Sequence, residues 1–312
     1  MVKTAVLMAT YNGSQFIEKQ LDSIRNQSLV PDYVIMRDDC STDSTIEVIE
    51  NYIVKHGLSG WSIKKNNVNL GWRLNFRQLL LDVLPFDTDY VFFSDQDDIW
   101  YFDKNEKQVG IMEENVSIDL LSADIDIEVV GEEVTIPNNF IFEDKSNLIS
   151  QYPKDFTYHN YRQGWTFCIR KTFVDQVIKY YSEGLITSHD NLMAGISGLL
   201  GTGYNYNQSV GLHIRHGANA SGNLLGLNSN HARHVADLKI VKSYYQVLVP
   251  VLQNKESGDL PLAQEYLNFY HKRLENAVQK KFFATLKQIV TEGSYYDSIT
   301  NRIRDAIFLF KK

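Results

Sequence analysis

The chain has 312 residues, 44% of them hydrophobic and 22% charged, which suits a packed core and excludes an intrinsically disordered chain. A formal net charge of -7 argues against a general nucleic-acid binder. The two cysteines, Cys40 and Cys168, have no CxxC spacing, which excludes a disulfide framework or a cysteine zinc site.

The first apolar run is too short for a secretory signal, and no run approaches the roughly 20 apolar residues of a spanning helix. A soluble or membrane-peripheral cytoplasmic protein is expected. In chain order, residues 4–9 (TAVLMA) read as a buried strand, followed by TYNG and a helix with Ile17, Leu21 and Ile24 on one face. Residues 33–36 (YVIM) form a second strand ending in Arg37, Asp38 and Asp39. Ser44 and Glu47 have the spacing of a capping box ahead of Ile46, Ile49 and Ile53. A strand at 61–65, a helix at 74–84 stopped by Pro85, and a strand at 90–94 (YVFFS) complete the first third.

Further on, residues 117–130 (SIDLLSADIDIEVV) read as one or two strands, 140–155 as a polar surface loop and 165–170 (WTFCIR) as a strand. Residues 173–181 and 191–200 read as helices. Residues 201–222 are rich in Gly, Asn and His and read as a loop that could serve as a lid. From about residue 228 the pattern is helical, broken at Gly293. Strands alternating with helices predict an α/β chain with a mostly parallel, doubly wound sheet and a C-terminal helical extension.

In such sheets ligands lie beyond the carboxyl ends of the strands. Three polar clusters fall at strand ends: Thr10-Tyr11-Asn12, Asp38-Asp39, and Asp95-Gln96-Asp97-Asp98. Asp95 and Asp97 flank one residue, and carboxylates that close repel unless a cation sits between them. All-oxygen ligation suits Mg²⁺ or Mn²⁺, which bridge to substrate phosphates. An Asp after a strand is also an ordinary turn residue, but three in four residues exceed what a turn requires. Asp38 and Asp39 suit a ribose or a base edge, with an Asx turn as the alternative. A triphosphate-binding nucleotidyltransferase would need basic residues after the first strand, and ATYNGSQ has none.

ATYNG, RDDCSTDST, NLGWRLNF and SDQDDIW occur in order, at spacings that resemble the GT-A inverting glycosyltransferases of family 2. The DQDDIW element, with HGANASG at 216–222, looks most like bacterial rhamnosyltransferases of cell-wall and surface polysaccharide synthesis. The resemblance implies a GT-A domain over residues 1–225, with a nucleotide-sugar half at 1–120 and an acceptor half at 121–225, then an extension at 226–312. It implies that Thr10, Tyr11, Asn12, Asp38, Asp39, Asp95 and Gln96 hold the nucleotide sugar. Asp97, Asp95 and His216 would hold the metal, Mg²⁺ or Mn²⁺. The family's base, an acidic residue opening a helix, matches Asp190; read alone, Asp190 is equally a helix N-cap. Where the subgroup has Tyr-Arg before the histidine, this chain has His213-Ile214, so Arg215 becomes the candidate diphosphate contact. Trp165, where a small residue often follows the glycine, and Asp98 are assigned to the acceptor side.

The donor so implied is dTDP-β-L-rhamnose and the acceptor a lipid-linked glycan. A UDP-sugar glucosyl- or galactosyltransferase and a non-catalytic sugar-nucleotide-binding subunit are the alternatives. From Lys272 onward nine Lys/Arg face four Asp/Glu, a tail of +5 on a body of -12. Apolar stripes at Leu274, Val278, Phe282 and Leu286, and at Ile299, Ile303, Ala306 and Phe310, run through that tail. They point to peripheral contact with the inner face of the cell membrane, or to a homodimer through these helices.

Overall fold

A computed structural model describes residues 2–130, 141–142, 147–158, 161–216, 224, 230–308 and 310–311. The run TAVLMAT forms β1 (Thr4–Thr10), in which Ala5 to Met8 have no exposed surface, as a parallel strand covered on both faces requires. Helix α1 (Ile17–Arg25) buries Ile17, Leu21 and Ile24. Strand β2 (Tyr33–Asp38) leads to α2 (Thr45–His56). The capping box does not form there: Ser44 makes no cap bond, and Asp43 accepts the Thr45 N–H at 3.1 Å instead. Then come β3 (Trp61–Lys65), α3 (Trp72–Asp82), β4 (Tyr90–Ser94), β5 (Ile99–Trp100) and α4 (Lys104–Glu114). After β6 (Leu120–Val129) and β7 (Ile149–Gln151) follow β8 (Cys168–Arg170), α5 (Lys171–Ile178), α6 (His189–Leu200) and β9 (Gly203–Arg215).

These strands form one sheet in the order β3-β2-β1-β4-β8-β6-β9-β5, with β7 on β9. Strands β3, β2, β1 and β4 are mutually parallel, so their carboxyl ends line one edge. Side chains alternate between the two faces. Val6, Met8, Val34, Met36 and Phe92 pack with Ile17, Leu21, Ile24 and Ile49 from α1 and α2. On the other face Phe93 meets Phe76 of α3, ring centroids 5.7 Å apart. Helices on both faces of a parallel core give the expected doubly wound class. Beyond β4 the pairing becomes mixed, because β8 runs antiparallel to both β4 and β6.

The chain divides into two compact units. Met1–Lys154, Asn160–Lys179 and His189–Ala220 make the first, which holds the whole sheet. The second comprises Asp155–His159, Tyr180–Ser188 and Ser221–Lys312, with the helices α7 (His231–Asn254), α8 (Leu260–Val278), α9 (Phe282–Thr291) and α10 (Ile299–Phe308).

The expected lid at 201–222 is corrected for its first fifteen residues: they contain β9, a 13-residue strand that pairs with β6, β5 and β7. Its glycines serve packing. A Cβ at Gly211 would lie 2.6 Å from the Ile99 carbonyl and 2.8 Å from the Trp165 ring. Residues 217–222 lie outside the described residues, as do 140 and 143–146 of the expected surface loop; its other end forms β7.

Lys104 is a costly group to bury in this core. Its amine is fully buried over the rings of Phe92 (4.4 Å) and Trp100 (4.0 Å), with no hydrogen-bond partner among the described residues. Burial pushes its pKa down to about 7 from 10.5. The unfolded chain therefore binds the extra proton between pH 7 and 10.5, so stability rises with pH across that window. Lys104→Met fills the same volume without a charge. It is expected to stabilise the fold at pH 7 by about 2 kcal/mol and to flatten its stability between pH 7 and 9. Denaturant unfolding at both pH values checks this, and a less stable methionine variant at pH 7 would contradict it.

Candidate active site

The loops after β1, β2 and β4 are tied together at the shared strand edge. Gln96 accepts the Tyr11 N–H and donates to the Tyr11 carbonyl, both at 2.9 Å, joining the β4 loop to the β1 loop. Gly13 leaves room for this clamp, since a Cβ there would fall 2.3 Å from the Gln96 oxygen. Asn12, in the left-handed region at φ 48, accepts the Thr42 N–H at 2.8 Å and donates its own N–H to Ser41 Oγ at 2.8 Å. The β1 loop is thereby stitched to the β2 loop as well.

Thr10 and Asp38 lie beneath this surface. Asp38 has no exposed area; it accepts from Thr10 Oγ1 (3.1 Å), from the Ser41 N–H (2.8 Å) and from the Ser41 hydroxyl (2.5 Å). Its expected contact with a nucleotide is corrected: the Asx turn takes the carboxylate. Asp39 is also buried, and takes the N–H groups of Leu70 and Gly71 at 2.8 Å and the Asn66 amide at 2.9 Å. It fixes the loop that opens α3, while Tyr11 and Asn12 present exposed side chains above it.

The acidic cluster continues from β4. His216 Nε2 stands 2.9 Å from Asp97 Oδ2, and its ring stacks on Phe16 at 4.4 Å. Two groups 119 positions apart in sequence thus meet at the tip of β4. Burial, then the charges of Asp98 and Asp97, push Asp95 well above the usual carboxylate range; His213 opposes, and Asp190 adds to the rise. The electrostatic reach of Asp190 puts it in the same field as the cluster. A cation at Asp95 and Asp97 would relieve that repulsion, so the donor chemistry fits a hard divalent ion. Among the described residues no three His, Cys, Asp or Glu side chains are grouped as a ready cage, so an ion would draw its other ligands from substrate and water.

Two acceptor-side assignments are corrected. Asp98 is 1% exposed and its Oδ1 lies 2.6 Å from His213 Nδ1. Burial raises the Asp98 pKa and lowers that of His213. Trp165 is likewise 1% exposed, packed over Gly211 and stacked on His213 at 6.3 Å. Neither offers a surface to an acceptor. The field of Arg215, the last residue of β9, reaches both Asp98 and His213.

Asp190 occupies the first turn of α6, where its Oδ1 accepts the Asn191 N–H at 2.8 Å. Burial raises its pKa to about 6 against the opposing pull of that N–H and of Arg73. Gly164 packs directly behind: a Cβ there would lie 2.5 Å from His189 Nε2 and 3.3 Å from Asp190 Cβ. His189 is stacked on Phe76 at 3.7 Å and is held neutral, burial pushing its pKa down to about 3. Arg73, His189 and Gly164 were not singled out as site-forming in the sequence, nor was the pairing of Asp98 with His213. Only the proximity of GW to a helix-opening acid, in space rather than in sequence, could have linked them.

A family model for glycosyl transferase family 2 matches residues 5–176, which include the strand ends just described. The chain belongs to glycosyl transferase family 2. Over 105 residues it is 39% identical to dTDP-rhamnosyl transferase RfbG of Shigella flexneri, covering 34% of this chain and 36% of that protein. Over 100 residues it is 30% identical to the poly(ribitol-phosphate) beta-N-acetylglucosaminyltransferase TarS of Staphylococcus aureus, covering 31% of this chain and 17% of that one. These alignments span about a third or less of each relative. Among solved structures, S. aureus TarS in complex with UDP aligns with 99% of this chain and 89% of its own at 15% identity and a TM-score of 0.59. Mannosyltransferase PcManGT from Pyrobaculum calidifontis, in complex with GDP-Man and Mn2+, aligns with 99% of this chain and 87% of its own at 13% identity and a TM-score of 0.53. These likenesses establish the GT-A fold for this family member.

Proposed function

We propose that this family 2 member is an inverting glycosyltransferase that moves L-rhamnose from dTDP-β-L-rhamnose to a hydroxyl of a lipid-linked cell-wall or surface glycan, at the inner face of the membrane. The observation that carries the transferase reading is the meeting of Asp97 and His216 at 2.9 Å at the tip of β4. The rhamnosyl assignment draws support from the 39% identity to a dTDP-rhamnosyl transferase.

Asp97 and Asp95, with His216, are the residues that would hold Mg²⁺ or Mn²⁺, and such an ion would neutralise the departing diphosphate. Tyr11 and Asn12 line the nucleoside side, with Gln96 fixing the Tyr11 backbone and Asp39 setting the loop beneath. Arg215 is the cation we assign to the diphosphate side. Asp190 takes the proton of the acceptor hydroxyl as that oxygen attacks the anomeric carbon from the face opposite the leaving group. Its desolvated setting makes it a stronger base than a solvated carboxylate. The N-terminus of α6 still favours the ionised form needed to start.

Gly164 positions this base. Gly164→Ala pushes its Cβ into His189 and Asp190, so kcat is expected to fall about tenfold to a hundredfold while nucleotide affinity holds. Steady-state kinetics beside nucleotide titration checks this; an unchanged kcat would show that the close approach does not matter to catalysis. The donor is tested by a panel of sugar nucleotides assayed with and without Mg²⁺ or Mn²⁺. Turnover of dTDP-rhamnose that needs the ion is expected. Turnover of UDP-glucose but not dTDP-rhamnose would overturn the donor and leave the transferase reading intact.

A further inference from the structure

We propose that the outward faces of α9 and α10 form a docking surface for an anionic lipid bilayer. The proposal rests on the reading above only for its purpose, bringing the chain to a lipid-carried acceptor; the physical argument is independent. An ordinary surface helix buries its apolar stripe and exposes its polar face. Here the two faces are exchanged. Helix α9 buries Thr285 and Gln288 and leaves Phe283 84% and Val290 81% exposed, with Leu286 on the same face. Helix α10 buries Arg304 and Asp305 beside Phe308 and turns out Ile299 (71% exposed), Ile303 and Ile307, at i, i+4 and i+8. Phe310, 75% exposed, lies edge-on to Phe282, which in turn meets Phe283, so the two stripes join through aromatic rings.

The helices cannot rotate to hide these residues, because their polar faces are committed inward. Gln288 donates to the Phe269 carbonyl at 3.1 Å and accepts from Asn276 at 3.0 Å. Asp305 takes two bonds from the buried Arg273 guanidinium, at 2.6 and 2.9 Å, and a third from Tyr296. Arg304 pairs with buried Asp237 at 3.3 Å. Breaking such buried pairs is strongly unfavourable.

Charge selects the occupant. Lys280, Lys281 and Lys287 stand exposed around the apolar stripe of α9, and Lys311 follows α10. Of the four acids in this segment, Glu275 is taken by Lys281, Glu292 by Lys272, Asp305 is buried, and exposed Asp297 accepts from the Tyr270 hydroxyl at 3.5 Å. A second copy docking here would set one +5 segment against another, whereas anionic headgroups would receive the lysines while the aromatic and aliphatic groups enter the acyl boundary. No helix among the described residues is long and apolar enough to cross a membrane, which suits a surface that rests on the bilayer.

The test is co-sedimentation of the full chain with vesicles of phosphatidylcholine alone or mixed with phosphatidylglycerol, at low and high salt. Binding to the mixed vesicles, weakened by salt, is expected. Phe283→Ser combined with Val290→Ser should lower that partitioning by about tenfold or more with melting temperature unchanged, since both side chains are exposed. Absence of wild-type binding to mixed vesicles, or equal binding by the double variant, would overturn the proposal. A wild-type dimer in analytical ultracentrifugation that the double variant dissociates would reassign the face to a second copy. Failure of the function reading shows instead in the donor panel, which uses no vesicles.

Discussion

Asp190→Asn is expected to lower kcat for glycosyl transfer by a factor of about 10²–10⁴ while leaving cation-dependent nucleotide binding intact. Asparagine keeps the size of the side chain and the oxygen that accepts the Asn191 N–H, so that bond in the first turn of α6 is kept. What it loses is the ability to take a proton. Because burial holds the Asp190 pKa near 6, the base is protonated in mildly acidic solution and transfer must rise with pH through the acid limb. A cation bound at Asp95 and Asp97 would pull that value down, so the limb is expected between the ordinary carboxylate range and pH 6. It should vanish with the residual activity of Asp190→Asn. Full activity in this variant would remove Asp190 from the chemistry and leave it a structural role in the first turn of α6.

Asp97→Asn is expected to fail differently. It takes away the carboxylate that meets His216 and that adds to the charge pressing on Asp95. Transfer should fall by about 10²–10³, and the cation concentration needed for half-maximal nucleotide binding should rise steeply. Without metal the variant should melt no lower than wild type, because one of several crowded like charges is gone. Titrating nucleotide at fixed and varied Mn²⁺ separates this from Asp190→Asn. Nucleotide affinity that neither the ion nor Asp97→Asn alters would exclude a metal role for this cluster.

Much of the molecule could be read from its residues because the early strands are continuous apolar runs with polar ends. TAVLMAT and YVFFS have one consistent reading, and each carries its site residues at the point where the sheet stops. The convergence at the strand edge then follows from parallel topology alone. Legibility failed where composition and context disagree. The Gly, Asn and His of β9 have the composition of a loop, yet Gly211 is demanded by the Trp165 ring and His213 by Asp98. Family position assigns Asp98 and Trp165 to the acceptor side, but both are buried, Asp98 against His213 and Trp165 against Gly211 of β9. Asp38 follows the strand-end rule and yet is consumed by its own turn. In α9 and α10 the apolar period was visible, but which face it would occupy depended on the buried Arg273–Asp305 and Arg304–Asp237 pairs, which no helical period encodes.

The proposed reaction is a single displacement at the shared strand edge, with Asp190 on the far side of the sugar from the diphosphate. Proton NMR of the glycoside formed by the wild-type chain from its preferred donor tests it most directly. An anomeric centre of configuration opposite to the donor's is expected, an α-L-rhamnoside from dTDP-β-L-rhamnose. A product that keeps the donor's configuration would contradict it.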